Sequence, residues 1–258
     1  MIRPASLQTV LITGATGGIG GALAKVYAEP GNTLIFQGRN ADRLAELTDI
    51  CKGKGARVLT RVLDVRNRDE LSAWLHEICQ QEKLDLVIVN AGVNTNIGPG
   101  GAGERWEDVQ ELIEVNVLAA MATVDAVLPS MRARGEGQIA LMSSLAAYFG
   151  LPVTPSYCAS KSALKAYGEA LRGWLAPSGI RVNVVMPGYV ESRMCREMPG
   201  PKPFLWSAEK AARTIKRGLA RNQPRISFPF PLNLGTWFLT VLHPSISERI
   251  LRLLNYGG

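Results

Sequence analysis

The sequence predicts a single-domain α/β fold, an open and doubly wound parallel sheet with helices on both faces. Three observations carry that expectation. Short apolar runs of strand length alternate with amphipathic stretches of helix length from Val10 to Met186. One of these runs, Leu86 to Val89, is apolar throughout, as a strand covered on both faces must be. The first run ends in a glycine cluster that opens directly into a helical stretch.

The elements follow in order. Val10-Leu11-Ile12 reads as the first strand and Ile19 to Ala28 as the helix behind it. Leu34-Ile35-Phe36 is the second strand, followed by the helical period of Leu44, Leu47 and Ile50. Arg57 to Leu63 is the third strand, and Leu71, Trp74, Leu75 and Ile78 mark one helix face. After the strand Leu86 to Val89 and a glycine-rich loop at 98–103, a long helix is expected from about Trp106 to Pro129. Strand 138–143, helix 156–175 and strand 180–186 complete the alternation. Such a sheet binds ligands at the carboxyl ends of its strands.

Beyond Gly188 the pattern loosens. Residues 190–206 carry three prolines among Met194, Met198, Phe204 and Trp206, and read as a mobile apolar flap. A basic helix begins at Ser207 and runs to about Arg221. Ile226 to Phe230 is a last strand, cut short by Pro229 and Pro231. Leu232 to Leu254 reads as two short helices separated by His243-Pro244. No repeat or low-complexity linker divides residues 1–258, so 190–206 and 229–258 are a flap and a helical extension of one domain.

Hydrophobic content of 47% with 20% charged residues excludes wholesale disorder. The four cysteines lack C-x-x-C spacing and the two histidines lie far apart, so neither a metal site nor a disulfide framework is expected. Reduced thiols and an N-terminus without a signal-like apolar segment point to the cytoplasm. The net charge is +7, and no nucleic-acid partner is expected. Residues 1–195 hold nineteen basic and nineteen acidic side chains, whereas 196–258 hold ten and three. The excess is either a solvated face or a surface for anionic ligands or membrane.

Four stretches carry chemistry. In Thr13-Gly14-Ala15-Thr16-Gly17-Gly18-Ile19-Gly20, a Cβ at Gly14, Gly18 or Gly20 would block a tight turn and the approach of a pyrophosphate to helix N–H groups. The second strand ends in Gly38-Arg39-Asn40, with no acid to accept a ribose 2′-hydroxyl and a guanidinium able to grip a 2′-phosphate. Asn116 lies mid-helix between Val115 and Val117, an unfavourable place for asparagine. Tyr157 and Lys161 are four apart on one helix face, and of the six tyrosines only Tyr157 has lysine at that spacing. Ser144 stands at the end of the strand thirteen residues earlier. A hydroxyl, a phenol and a lysine are the parts needed to protonate a carbonyl oxygen.

Together these stretches, with Asn90-Ala91-Gly92 and Pro187-Gly188, resemble the short-chain dehydrogenase/reductases, in order from about residue 7 to 198. The resemblance implies a Rossmann-type fold and a nicotinamide cofactor, and the missing acid at Gly38 together with Arg39 favours NADP(H) over NAD(H). It implies a catalytic set of Asn116, Ser144, Tyr157 and Lys161. The same resemblance places the cofactor against Gly14, Thr16, Gly18, Ile19, Gly20, Arg39 and Asn40. It also assigns Asp64 and Val65 to the adenine, with a helix cap as the competing role of Asp64. Asn90, Ala91 and Gly92 would run under the cofactor, and Pro187, Gly188, Val190 and Ser192 would close over the nicotinamide. Ser192 replaces the family's usual threonine and keeps its hydroxyl. Tyr157 would be the acid in reduction and the base in oxidation, with Ser144 holding the substrate oxygen. Lys161 would also bind the nicotinamide ribose, and Asn116 would place a water that links Lys161 to solvent. Ser143 is the alternative serine, and the family spacing selects Ser144.

A cation about 4 Å from the phenol favours phenolate by about 4 kcal/mol at an effective dielectric of 20, so the Tyr157 pKa is expected to fall by roughly three units. The expected substrate is a small-molecule carbonyl or alcohol with an apolar, lipid-like body, walled by Leu145 to Thr154, Tyr189, Met194, Met198, Phe204 and Trp206. The competing classes are a nucleotide-sugar-modifying enzyme and a non-catalytic binding protein on the same fold. Family members pair through the helices that hold Asn116 and Tyr157, implying a homodimer or homotetramer. Residues 226–242 carry no charge and are too short and interrupted to span a bilayer. They are expected to pack near the substrate entrance or at a subunit contact, or else to dock peripherally on a membrane.

Overall fold

The computed structural model describes residues 8–198 and 200–254. The opening MIRPASL, Pro199 of the flap and the last four residues of the extension lie outside the described residues. Among the described residues, seven strands form one parallel sheet: β1 (Thr9–Ile12), β2 (Thr33–Gly38), β3 (Arg57–Val62), β4 (Leu86–Val89), β5 (Gly137–Met142), β6 (Ile180–Pro187) and β7 (Arg225–Phe228). Their spatial order is β3-β2-β1-β4-β5-β6-β7. β7 stops at Phe228 because Pro229 has no N–H to continue the ladder.

Alternation along β1 divides the core. Val10 and Ile12 face one layer, packed with Leu23, Leu44 and Ala211 from α1 (Gly18–Tyr27), α2 (Ala41–Lys52) and α8 (Ala208–Ala220). Leu11 faces the other, packed with Leu71, Val124 and Leu164 from α3 (Arg68–Gln81), α5 (Ala119–Arg134) and α6 (Pro155–Leu175). β4 is buried along its whole length, whereas β3 is an edge strand with exposed arginines at 57 and 61. β1 is followed in space by β4, so the order reverses there and a crevice opens at the strands' carboxyl ends.

The long helix differs from expectation in two ways. It runs past Pro129 to Arg134 and ends at Gly135, whose φ of +68° is a left-handed cap. Pro129 sits on the exposed face, where a carbonyl deprived of its partner can reach water. The helix is also interrupted: α4 (Trp106–Ile113) passes into a π-turn at Glu114–Leu118 before α5 begins. Trp106–Arg134 is long and apolar enough to cross a membrane by length and composition, but here it is a core helix packed against α3 and α6.

α6 approaches the sheet closely at Gly168, where a Cβ would stand 2.6 Å from Val184 Cγ2 and 2.9 Å from Leu141 Cδ1. That contact sets the depth of the helix carrying Tyr157 and Lys161. The flap is tied at both ends: Glu191 N–H donates to the Trp206 carbonyl at 2.9 Å and Trp206 N–H to the Tyr189 carbonyl at 3.0 Å. Between the ties lies α7 (Arg193–Glu197). The extension forms α9 (Leu232–Phe238) and α10 (Pro244–Leu253), the two helices expected around His243-Pro244.

Candidate active site

A continuous cleft of about 1160 Å³ lies over the crevice, from the glycine loop at one end to the C-terminal helices at the other. All the residues expected to hold the cofactor line it, together with Ser144, Tyr157 and Lys161.

The glycine loop is built by close approach. Gly14 has φ +63°, and a Cβ there would stand 2.7 Å from Ala91 Cα. A Cβ on Gly20 would overlap the Gly14 carbonyl oxygen, and one on Gly18 would lie 2.8 Å from Ser192 Cβ. α1 therefore begins at Gly17 with no side-chain cap and no acid in its first turn. Its leading N–H groups, beside the cleft, remain available to an anion. Asn90 fixes the loop from below, its Nδ2 donating to the Thr13 and Gly14 carbonyls, both at 3.0 Å. Thr13 Oγ1 returns the contact by accepting from the N–H groups of Asn90 and Ala91.

At the end of β2, a Cβ on Gly38 would meet the Thr16 side chain at 3.2 Å. A larger residue at that position would have to push the Thr16 side chain aside by a few tenths of an ångström. Arg39 is half exposed, with its guanidinium 3.7 Å from Asp64 Oδ2 and 3.5 Å from Glu111 Oε1. Asn40 caps α2, its Oδ1 accepting from Arg43 N–H at 2.8 Å. Asp64 is not the cap of α3; Asn67 takes that role by accepting from Glu70 N–H. Both carboxylate oxygens of Asp64 are instead held by Arg66, the main reason its pKa lies below the ordinary value.

The four expected catalytic residues lie on three elements around one end of β5. Ser144 Oγ accepts from Ala146 N–H at 3.2 Å and donates to the Pro187 carbonyl at 3.4 Å, and it lines the same cleft as Tyr157. Ser143 faces the other way and is buried, its Oγ donating to the Lys161 carbonyl at 2.7 Å. Lys161 Nζ donates to the Met142 carbonyl at 3.0 Å and lies 5.5 Å from the Tyr157 ring centroid. Asn116, fully buried in the π-turn, accepts from Val93 N–H at 2.8 Å and donates to the Val93 carbonyl at 2.9 Å and Ser160 Oγ at 3.1 Å. Ser160 Oγ in turn donates to the Tyr157 carbonyl at 2.8 Å. The amide hydrogens of Asn116 are thus fully used.

Electrostatics correct the expectation for Tyr157. Burial pushes its pKa up to about 12, with the nearby Ser144 hydroxyl opposing the rise. Lys161 is itself pushed down to about 8 by burial. So buried, the phenol holds its proton firmly.

The substrate wall also departs from expectation. Phe149, Leu151, Tyr189, Met194 and Met198 line the cleft as expected, but Phe204 and Trp206 are not among its lining residues. Phe204 is exposed, and Trp206 stacks on Phe228 with ring centroids 5.1 Å apart, spending its apolar face on the core. In their place stand Leu232, Phe238, Leu239, Ile250 and Leu251 of the extension. Arg43, which also lines the cleft, and Ser160 were not singled out from the sequence. The only signal for Arg43 was its spacing of four from Arg39, and for Ser160 its place between Tyr157 and Lys161.

A family model described as short chain dehydrogenase matches residues 8–201. An uncharacterized oxidoreductase of Myxococcus xanthus (strain DK1622) is 35% identical over 251 residues, covering 96% of this chain and 98% of that protein. Among solved structures, a short-chain dehydrogenase from Sphingobium yanoikuyae in complex with NADPH superposes with a TM-score of 0.78 at 23% identity, covering 96% of both chains. An NAD+-bound xylitol dehydrogenase superposes with a TM-score of 0.67 at 29% identity, covering 75% of this chain and 72% of the other.

Proposed function

Because the chain belongs to the short-chain dehydrogenase family, we propose that it transfers a hydride between NADP(H) and the carbonyl or secondary alcohol of an apolar, lipid-like substrate. The observation that carries this reading is that Ser144, Tyr157 and Lys161 line one cleft, which joins the glycine loop to an apolar wall.

The cradle suits a dinucleotide. The uncapped start of α1 offers N–H groups to a pyrophosphate, and only glycine fits where the loop passes Ala91 and Ser192. Arg39 and Arg43 flank the place of a ribose 2′-phosphate, and Gly38 leaves no carboxylate to repel it. The NADPH complex and the NAD+ complex among the related structures leave this choice to the chain's own arginines. An adenine amino group would share the Asp64 carboxylate with Arg66. Bound there, the nicotinamide supplies or takes up the hydride.

The protein's residues handle the proton. In reduction, Tyr157 donates its phenolic proton to the substrate oxygen while Ser144 holds that oxygen by a second hydrogen bond. The Lys161 ammonium, anchored on the Met142 carbonyl, stabilises the phenolate left behind. In oxidation the same groups run in reverse. Asn116 has no amide hydrogen left over, so its side chain holds the π-turn in place, and a water serving Lys161 would be held by backbone carbonyls. Apolar side chains of the flap and of α9 and α10 exclude water and favour a hydrocarbon body.

The test is to follow NADPH absorbance with a panel of ketones and aldehydes graded by chain length. Turnover that improves with apolar length supports the reading. Cofactor binding without turnover on any carbonyl or alcohol would move the protein to the non-catalytic class.

A further inference from the structure

Helices α9 and α10 present two faces. Leu239 and Leu251 are buried in the cleft wall, while Phe238 and Leu254 line the cleft and are also exposed, so they stand at its mouth. From that edge the apolar surface continues outward over Leu234, Trp237 and Val241, with Trp237 43% exposed and Val241 58%. The stretch Ile226 to Leu242 that carries most of this surface has no ionisable side chain. A contiguous exposed apolar patch of this kind marks contact with another apolar phase.

We infer that this collar docks on an anionic bilayer surface, so that the mouth of the cleft faces lipid. Three features favour a bilayer over a second copy of the chain. Arg193 and Arg196 of α7 line the cleft beside the patch, and Arg249 and Arg252 flank its lining residues Ile250 and Leu251 along α10. A two-fold contact through this face would bring the arginines of one copy against those of the other, whereas anionic headgroups neutralise them. Trp237 and Phe238 are adjacent, exposed aromatic residues in the last turn of α9, the kind of side chain that settles at the headgroup boundary. α9 has seven residues and follows Pro229 and Pro231, so it lies in the interface and does not cross it. Docking stands apart from the reductase reading; only the statement that a substrate passes from bilayer to cleft rests on that reading.

The experiment is co-sedimentation of the full chain with vesicles of phosphatidylcholine alone or mixed with phosphatidylglycerol, at low and high salt. The expected result is binding to the mixed vesicles that weakens with salt. It should fall by about tenfold or more in the pair Trp237→Glu and Val241→Glu, neither of which lines the cleft. Arg249→Glu with Arg252→Glu should remove the preference for the anionic vesicles. NADPH binding in vesicle-free buffer reports whether each variant is folded; if the glutamate pair fails that check, Trp237→Ser with Val241→Thr replaces it. Wild-type protein that stays in the supernatant in every condition overturns the inference, as does equal sedimentation of wild type and patch variants. An assembly larger than the variants', seen by sedimentation velocity without vesicles, also overturns it and gives the patch to a second copy. Docking without NADPH binding by the wild type would leave the membrane contact standing and remove the oxidoreductase reading.

Discussion

The side-chain amide of Asn116 and the backbone of Val93 exchange two hydrogen bonds, at 2.8 Å and 2.9 Å, in the manner of paired peptide groups. This pair joins the π-turn to the loop leaving β4, and through Ser160 it reaches the backbone of Tyr157. One asparagine thereby holds three parts of the site in register.

Asn116→Ala should therefore cost about 1–3 kcal/mol, since it strands the partly buried Val93 N–H and carbonyl. Asn116→Asp keeps an acceptor for Val93 N–H and loses both donors, so it should be destabilised as well. Urea unfolding measures both; a variant as stable as wild type would show the pair to be incidental.

Tyr157→Phe should fold and bind NADPH, with kcat reduced by about a hundredfold to ten-thousandfold, the range of a lost general acid. The phenyl ring keeps the packing and removes only the donor. Stopped-flow hydride transfer and cofactor titration separate the two effects, and near wild-type turnover would remove Tyr157 from the mechanism.

Lys161 and Tyr157 give opposite pH signatures. Burial lowers the Lys161 pKa from 10.5 to about 8, so between those values the unfolded chain binds more protons and stability rises with pH through this group. Burial raises Tyr157 from 10.0 to about 12, so in that window the folded chain holds the extra proton and stability falls with pH. Lys161→Met, which removes the buried charge, should be more stable than wild type at pH 7 relative to its value near pH 10. Parallel stability profiles for the two proteins would contradict the assigned burial effect.

Arg39→Ala should lose most of a preference for NADPH over NADH, by about tenfold to a hundredfold in kcat/KM. Arg43→Ala should act in the same direction and more weakly, because its guanidinium reaches from the next turn. Both measurements use one substrate with each cofactor. A wild-type preference for NADH would refute the role given to these arginines.

Local pattern reveals most of this fold. Most strands announce themselves as short apolar runs, β3 with its two arginines being the exception, and β7 stops at Phe228, two residues short of the expected Phe230. The π-turn left no trace except a misplaced asparagine, since its extra residue is a matter of hydrogen-bond register that composition does not encode. Trp206 and Phe204 were assigned to the substrate wall because they are apolar and near the flap, yet a stack on Phe228 claims one and solvent the other. The direction of the Tyr157 shift was missed for a related reason. Spacing shows that a lysine is near, but only packing shows how much water both groups have lost.

The π-turn at Glu114–Leu118 also sets the phase of everything after it. Each helical residue turns the chain by about 100°, and the wide turn absorbs one residue, so winding the same residues as a regular spiral would rotate α5 by that angle. Thr123, Val124, Val127 and Met131, all buried as the helix stands, would swing off the core together. The bulge that holds Asn116 thus works as a keyed joint. A change of winding within this helix therefore moves both the Asn116 amide and the hydrophobic seam.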